Sequence, residues 1–320
     1  MSERREEHHF NSGDGSCAAW LLRPHPVNSQ PCPVVVMAHG FTATREDGLV
    51  AYAERFAELG IASLAFDYRG FGDSQGGERQ VLNIKRELED LDAAIAFART
   101  LEGIDPGRVA LWGSSFGGGM VMDTAARRDD IACVIAQVPF ADGLATVGAI
   151  PIGTSLRLTA KGLADLRAHR SSRPRVMIPA TGNPGEVAAM TSPDAVPGFE
   201  SIVPVGSRHV NSVAASVVLD TLMWRPGVKA GSIACPLLVQ VGTEDAVTPP
   251  KPAARAAARA PKGELRRYAC GHFDVYSGQW FEQVAADQIA FLERSLIRGE
   301  AGAGEGREAK VPEAAKASGS

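Results

Sequence analysis

Arg108-Val109-Ala110-Leu111-Trp112-Gly113-Ser114-Ser115-Phe116-Gly117-Gly118-Gly119 reads as a strand, a tight turn and the opening of a helix. The apolar run ends on the pattern Gly-x-Ser-x-Gly, and the spacing behind it predicts a helix from Phe116 to about Arg127. A serine at so sharp a strand-to-helix turn is forced into a strained backbone conformation. The flanking glycines leave room for the turn, and the hydroxyl projects above the sheet edge. The helix behind it offers free N–H groups and the positive end of its dipole to a developing oxyanion. Ser115 is therefore the expected nucleophile. Ser114, one place early in the pattern, is expected to face inward.

Outward from this turn the chain alternates strands and helices. Strands are predicted at Val34–Ala38, Ile61–Tyr68, Ala132–Val138, Pro236–Val241 and Leu265–Ala269. Helices are predicted from Asp47 to Leu59, closed by Gly60, over residues 80–101, after Pro249, and at the end to about Ile297. Asp105-Pro106-Gly107 reads as a turn before the Arg108 strand. Such alternation predicts an α/β domain with a mainly parallel sheet. Between about Ala141 and Ser232 the rhythm breaks into Pro- and Gly-rich sequence, with helical pieces near 154–170 and 209–224. A connection of that length is expected to be a cap, since long structureless loops are uncommon in compact domains. The expected layout is a polar segment at 1–14, a core at 15–140 and 233–297, a cap at 141–232, and a disordered tail from 298, whose composition carries almost no apolar bulk.

Composition narrows the function. The 320 residues are 45% hydrophobic and 22% charged, with a formal net charge of −4. That balance argues against nucleic acid as the main partner. No apolar run is long enough to span a bilayer, and the mixed-charge start is unlike a signal peptide. Five scattered cysteines without a CxxC pair fit reduced thiols in a cytoplasmic protein. Gly70-Phe71-Gly72-Asp73-Ser74-Gln75-Gly76 has its third glycine one place late for a dinucleotide site, and Gly113–Gly119 lacks the Gly-Lys-Ser/Thr ending of a phosphate loop. No cofactor and no metal site is implied.

A serine nucleophile needs a base and an orienting acid. Asp245 stands in the loop after the Pro236–Val241 strand, and His272 in the loop after Ala269. Both are strand ends on the rim that carries Ser115. Glu244, Asp142 and Asp274 are rival acids, with Asp274 better suited to holding the histidine loop. For the oxyanion, the Phe116 N–H lies directly after the nucleophile, and Phe41 in His39-Gly40-Phe41-Thr42 supplies the second donor. His39 is expected to hold that loop by hydrogen bonds.

HGF at 39–41, DYRGFGDSQG at 67–76, GSSFGGG at 113–119, GTEDAVTPP at 242–250 and GHFDVY at 271–276 together resemble the α/β-hydrolase fold serine hydrolases over roughly residues 15–297. Among these the chain is most similar to bacterial enzymes related to cocaine esterase and the X-prolyl dipeptidyl peptidase (S15) domain, alongside dienelactone-hydrolase-like esterases. The resemblance implies the order Ser, acid, His, met here by Ser115, Asp245 and His272. Without a counterpart of the extra C-terminal β domain, esterase activity is expected over peptidase activity. Ser115 stands where a dienelactone hydrolase carries cysteine. The expected reaction is hydrolysis of a small to medium carboxylic ester through an acyl-enzyme, with thioesters and lactones open to the same atoms. A non-catalytic ligand-binding protein is the rival of a different class. The cap is expected to close over Ser115 and leave a mostly apolar pocket, with Val210, Val213, Val217 and Met223 at helical spacing as candidate inward side chains.

Overall fold

In a computed structural model, residues 5–24, 30–148 and 150–298 are described. Val34 and Val36 turn to one side of the sheet, Val35 and Met37 to the other, and all four are fully buried. Burial on both faces marks a strand lying between two helical layers.

The strands are Arg5–Ser12 (β1), Gly15–Leu22 (β2), Cys32–Ala38 (β3), Ala62–Phe66 (β4), Ile104–Ser114 (β5), Val134–Gln137 (β6), Met177–Ile178 (β7), Val213–Ala214 (β8), Leu237–Gly242 (β9) and Gly263–Tyr268 (β10). All but β7 and β8 join one sheet in the order β1-β2-β4-β3-β5-β6-β9-β10. The pairs from β4 to β10 are parallel, while β2 runs antiparallel to both β1 and β4. The helices are Val50–Glu58 (α1), Ile84–Ala98 (α2), Phe116–Ala125 (α3), Gly143–Gly148 (α4), Ile152–Arg170 (α5), Ala195–Ile202 (α6), Val217–Met223 (α7), Pro250–Arg259 (α8) and Gly278–Leu292 (α9). Leu91 and Ile95 of α2, Met120 and Val121 of α3, and Ala256 of α8 pack on one face of the sheet. Tyr52 and Phe56 of α1 and Val284 and Phe291 of α9 pack on the other. The predicted α/β-hydrolase architecture is the one observed. Because β3, β5, β6, β9 and β10 run parallel, the loops that leave their C-terminal ends share one rim.

Three local expectations are corrected. The polar segment expected at 1–14, outside the core, holds a strand of the main sheet: β1 forms a hairpin with β2 in full register from Arg5↔Leu22 to Ser12↔Gly15. Its outward charges suit an edge strand, where they discourage pairing with another chain. Asp105-Pro106-Gly107 lies inside β5, and the chain turns earlier, at Gly103 with φ +73°. Pro106 is tolerated there because the β3–β5 register is irregular between Cys32 and Val34. The segment 209–224 is not one helix, since Val213 pairs with Ile178 before α7 begins. Accordingly Val213 and Val217 are buried, whereas Val210 and Met223 are exposed. The tail expected to be disordered, 299–320, lies outside the described residues. Among the described residues, no helix is long and apolar enough to cross a membrane.

Candidate active site

The turn after β5 behaves as its sequence demands. Ser115 has φ 57° and ψ −120°, a conformation that costs roughly 1–3 kcal/mol and persists only where the surroundings over-determine it. Three backbone bonds do so. Ser115 N–H donates to the Gln137 carbonyl (2.9 Å), and the Ser115 carbonyl accepts from Gly118 (3.0 Å) and Phe140 (2.8 Å). The two glycines of the pattern are required by space. A Cβ on Gly113 would stand 2.2 Å from the Gly117 carbonyl oxygen, and one on Gly117 would stand 2.2 Å from that of Ala38. Ser114 faces inward, where its Oγ meets the Tyr276 hydroxyl at 2.6 Å and accepts from Gln137 Nε2 at 3.0 Å. That contact opens a fully buried glutamine network. Gln288 of α9 donates to Gln137 (2.8 Å) and Gln240 (2.7 Å) and accepts from the Trp112 indole (3.0 Å). Satisfied polar networks of this kind rigidify the core that carries them, here directly beneath the nucleophile turn.

The three residues expected from separate strand ends meet on the rim. His272 Nε2 lies 3.0 Å from Ser115 Oγ, and His272 Nδ1 lies 2.7 Å from Asp245 Oδ2. All three are buried, Ser115 and Asp245 at 8% exposure and His272 at 2%. With Asp245 accepting from Nδ1–H, the Nε2 lone pair is left to receive the serine proton. Asp245 is itself fixed: its Oδ1 accepts from the backbone N–H of Val247 (2.8 Å) and Thr248 (2.7 Å). The Thr248 hydroxyl sits between Asp245 Oδ2 (2.8 Å) and the Val138 carbonyl (3.0 Å), with one proton for the two.

The rival acids are placed elsewhere. Asp142 caps α4 through the Leu144 and Ala145 amides and pairs with Arg225. Arg225 and these amides outweigh the burial that opposes them and hold the Asp142 carboxyl below its usual range. Asp274 accepts from the Gly271 amide at 2.7 Å, which steadies the histidine loop as expected. The Glu244 side chain is exposed. His39 is buried, donates from Nδ1 to the Gly40 carbonyl (2.9 Å) and stacks edge-on against Tyr68. Burial pushes its pKa down, so it stays neutral in its loop-holding place.

Gly40 lies directly over the nucleophile, with the position of a Cβ only 3.5 Å from Ser115 Cβ. Phe41 follows it, its ring edge-on to that of Phe116 at 5.6 Å. Among the described residues the Phe41 N–H donates to no backbone carbonyl, and the Phe116 N–H is the first of α3, where helix amides have no intrahelical partner. Beneath this loop, Arg45 is buried against Asp67 and reaches Asp73 at 2.9 Å. Sequence reasoning quoted both acids inside a motif and missed this brace. Thr248 was missed too, although an Asp three residues before a Thr is a local turn signal.

A cavity of about 390 Å³ opens beside Ser115, within the range that encloses a drug-sized ligand. Its walls come from Phe41, Phe116, the loop after β6, α4, α5, residues 189–193 and α7. Of the four apolar side chains expected to face inward, Val217 alone lines it.

The family model described as serine aminopeptidase, S33, matches residues 29–272. The chain belongs to this family. It is thereby a hydrolase of α/β-hydrolase fold, the broader class that its motifs imply. Another similar protein is the quorum-quenching protein AidA of Acinetobacter baumannii, 46% identical over 285 residues, covering 89% of this chain and 93% of that one. Among solved structures, that of DcsB in complex with its substrate analogue has a TM-score of 0.79 at 19% identity, covering 92% of this S33 chain and 99% of the other. Est1E of Butyrivibrio proteoclasticus with bound ferulic acid has a TM-score of 0.63 at 20% identity, covering 91% and 99%. At such identities the two structures bear on the fold alone.

Proposed function

We propose that the chain hydrolyses carboxylic esters through Ser115, His272 and Asp245. The observation that carries this reading is the continuous hydrogen-bonded line from Asp245 through His272 to Ser115, at 2.7 and 3.0 Å, on a strained turn beside a mostly apolar cavity. Ser115 Oγ attacks the ester carbonyl while His272 Nε2 takes its proton. The Phe41 and Phe116 amides receive the oxyanion, worth ~3–4 kcal/mol for each donor that is well aimed. His272 then passes its proton to the departing alcohol oxygen, and Asp245 holds the tautomer and stabilises the imidazolium. Water follows the same path to release the acid. Likeness to a quorum-quenching protein supports a small signal molecule as the substrate, and a thioester or cyclic ester would be opened by these same atoms.

A panel of methyl esters of graded acyl length, with matched methyl thioesters and lactones, tests this. The expected result is saturable turnover that is greatest for medium acyl chains and falls for palmitoyl, because overfilling a cavity of about 390 Å³ costs ~1–3 kcal/mol. Binding of these compounds without turnover would favour a ligand-binding protein instead. A rate that kept rising through palmitoyl would mean an open groove.

A further inference from the structure

The two hollows that meet at Ser115 are unequal. The cavity of about 390 Å³ touches Phe41, Ser115 and Phe116 but not His272. A second hollow of about 20 Å³ touches Ser115, His272 and Phe273. The leaving oxygen must take its proton from His272, so the leaving group belongs on the His272 side and is compact. The acyl arm then belongs in the large cavity.

Among the described residues that cavity is walled mostly by carbon and by no charged side chain. Its threonine hydroxyls are mostly satisfied internally. Thr146, Thr159 and Thr221 each turn back to a helix carbonyl four residues earlier, at 3.0, 2.8 and 2.9 Å. Thr248 is engaged with Asp245, and Ser115 with His272. Two serines differ. Ser155 Oγ on α5 and Ser192 Oγ before α6 are buried with no partner among the described residues. An unpaired buried hydroxyl in an apolar wall calls for an explanation. With no partner to hold it, each hydroxyl is free to turn toward the cavity that its residue lines by an ordinary staggered change.

We propose that the substrate's acyl arm is aliphatic, carries an uncharged keto or hydroxyl oxygen along its length, and is recognised there by Ser155 and Ser192. A serine hydroxyl can donate to a carbonyl oxygen, or donate to and accept from an alcohol. Without a cation or a carboxylate in the wall, a charged substituent finds no counter-ion. A site built to hydrogen-bond a substrate oxygen also discriminates against the analogue that lacks it far more sharply than a hydrocarbon pocket resolves one methylene.

This inference rests on the esterase reading, and its test separates the two. Steady-state kcat/KM is measured on methyl octanoate and on the 3-, 5- and 7-oxo and 3-, 5- and 7-hydroxy methyl octanoates. One oxygen position is expected to exceed the plain ester by at least about tenfold. In the S155A/S192A double variant that advantage is expected to fall below about twofold. Turnover of all the esters with no favoured position overturns the proposal and leaves the esterase reading standing, and this comparison needs only the wild-type chain. An advantage that survives the double substitution overturns the assignment to these serines. No turnover of any ester, plain or substituted, overturns the esterase reading and this inference with it.

Discussion

Ser115→Ala and His272→Ala are each expected to lower kcat by a factor on the order of 10⁶, and the double variant to lose little more than either alone. The nucleophile and its base act as one unit. Removing Ser115 Oγ leaves no atom to attack, and removing the imidazole leaves the hydroxyl with no acceptor at 3.0 Å for its proton. Some rate above that of water would remain, since the Phe41 and Phe116 amides are untouched. Ser115→Ala removes one oxygen beside an existing cavity and opens no large void, whereas His272→Ala empties a buried ring site, so only the latter is expected to lower the unfolding midpoint. Steady-state kinetics on a medium-chain ester, with an unfolding midpoint for each variant, would check this. Retention of most activity by purified Ser115→Ala would end the triad account.

Asp245→Asn is expected to lower kcat by ~10⁴ with a much smaller change in KM. An amide in that place can turn its nitrogen toward His272 Nδ1, which favours the wrong tautomer and leaves the imidazolium without its counter-charge. Glu244→Gln, Asp142→Asn and Asp274→Asn are expected to cost far less. Glu244 is exposed, Asp142 is occupied by Arg225 and the α4 amides, and Asp274 by the Gly271 amide. A loss at any of these equal to that at Asp245 would move the acid.

What the sequence made legible follows from how local each signal is. The pattern Gly113–Gly117 marks one turn with steric demands that five residues express in full, so Ser115 could be placed without a neighbour in view. Val34–Met37 reads as a buried strand because each side chain meets a helical layer. Asp245 and His272 needed only the rule that loops at parallel strand ends share a rim. The β1–β2 hairpin escaped because an edge strand solvated on its outer side has the composition of a disordered end. Asp105-Pro106-Gly107 misled because turn residues also suit a register irregularity. The buried glutamines, the Arg45–Asp67 brace and the orphan hydroxyls of Ser155 and Ser192 depend on residues far apart in the chain. Gln137 and Gln288, for instance, are separated by 151 positions. No local pattern announces such partnerships.

The covalent intermediate is the central claim, and a fluorophosphonate that reacts with activated serines tests it most directly. The purified protein is treated with one equivalent, digested, and the modified peptide located by mass spectrometry, beside Ser115→Ala and His272→Ala controls. The account predicts one adduct per chain, carried by Ser115, with ester turnover lost in proportion to labelling and no adduct in either control. An adduct on another residue, or full turnover in a chain labelled at Ser115, would contradict it.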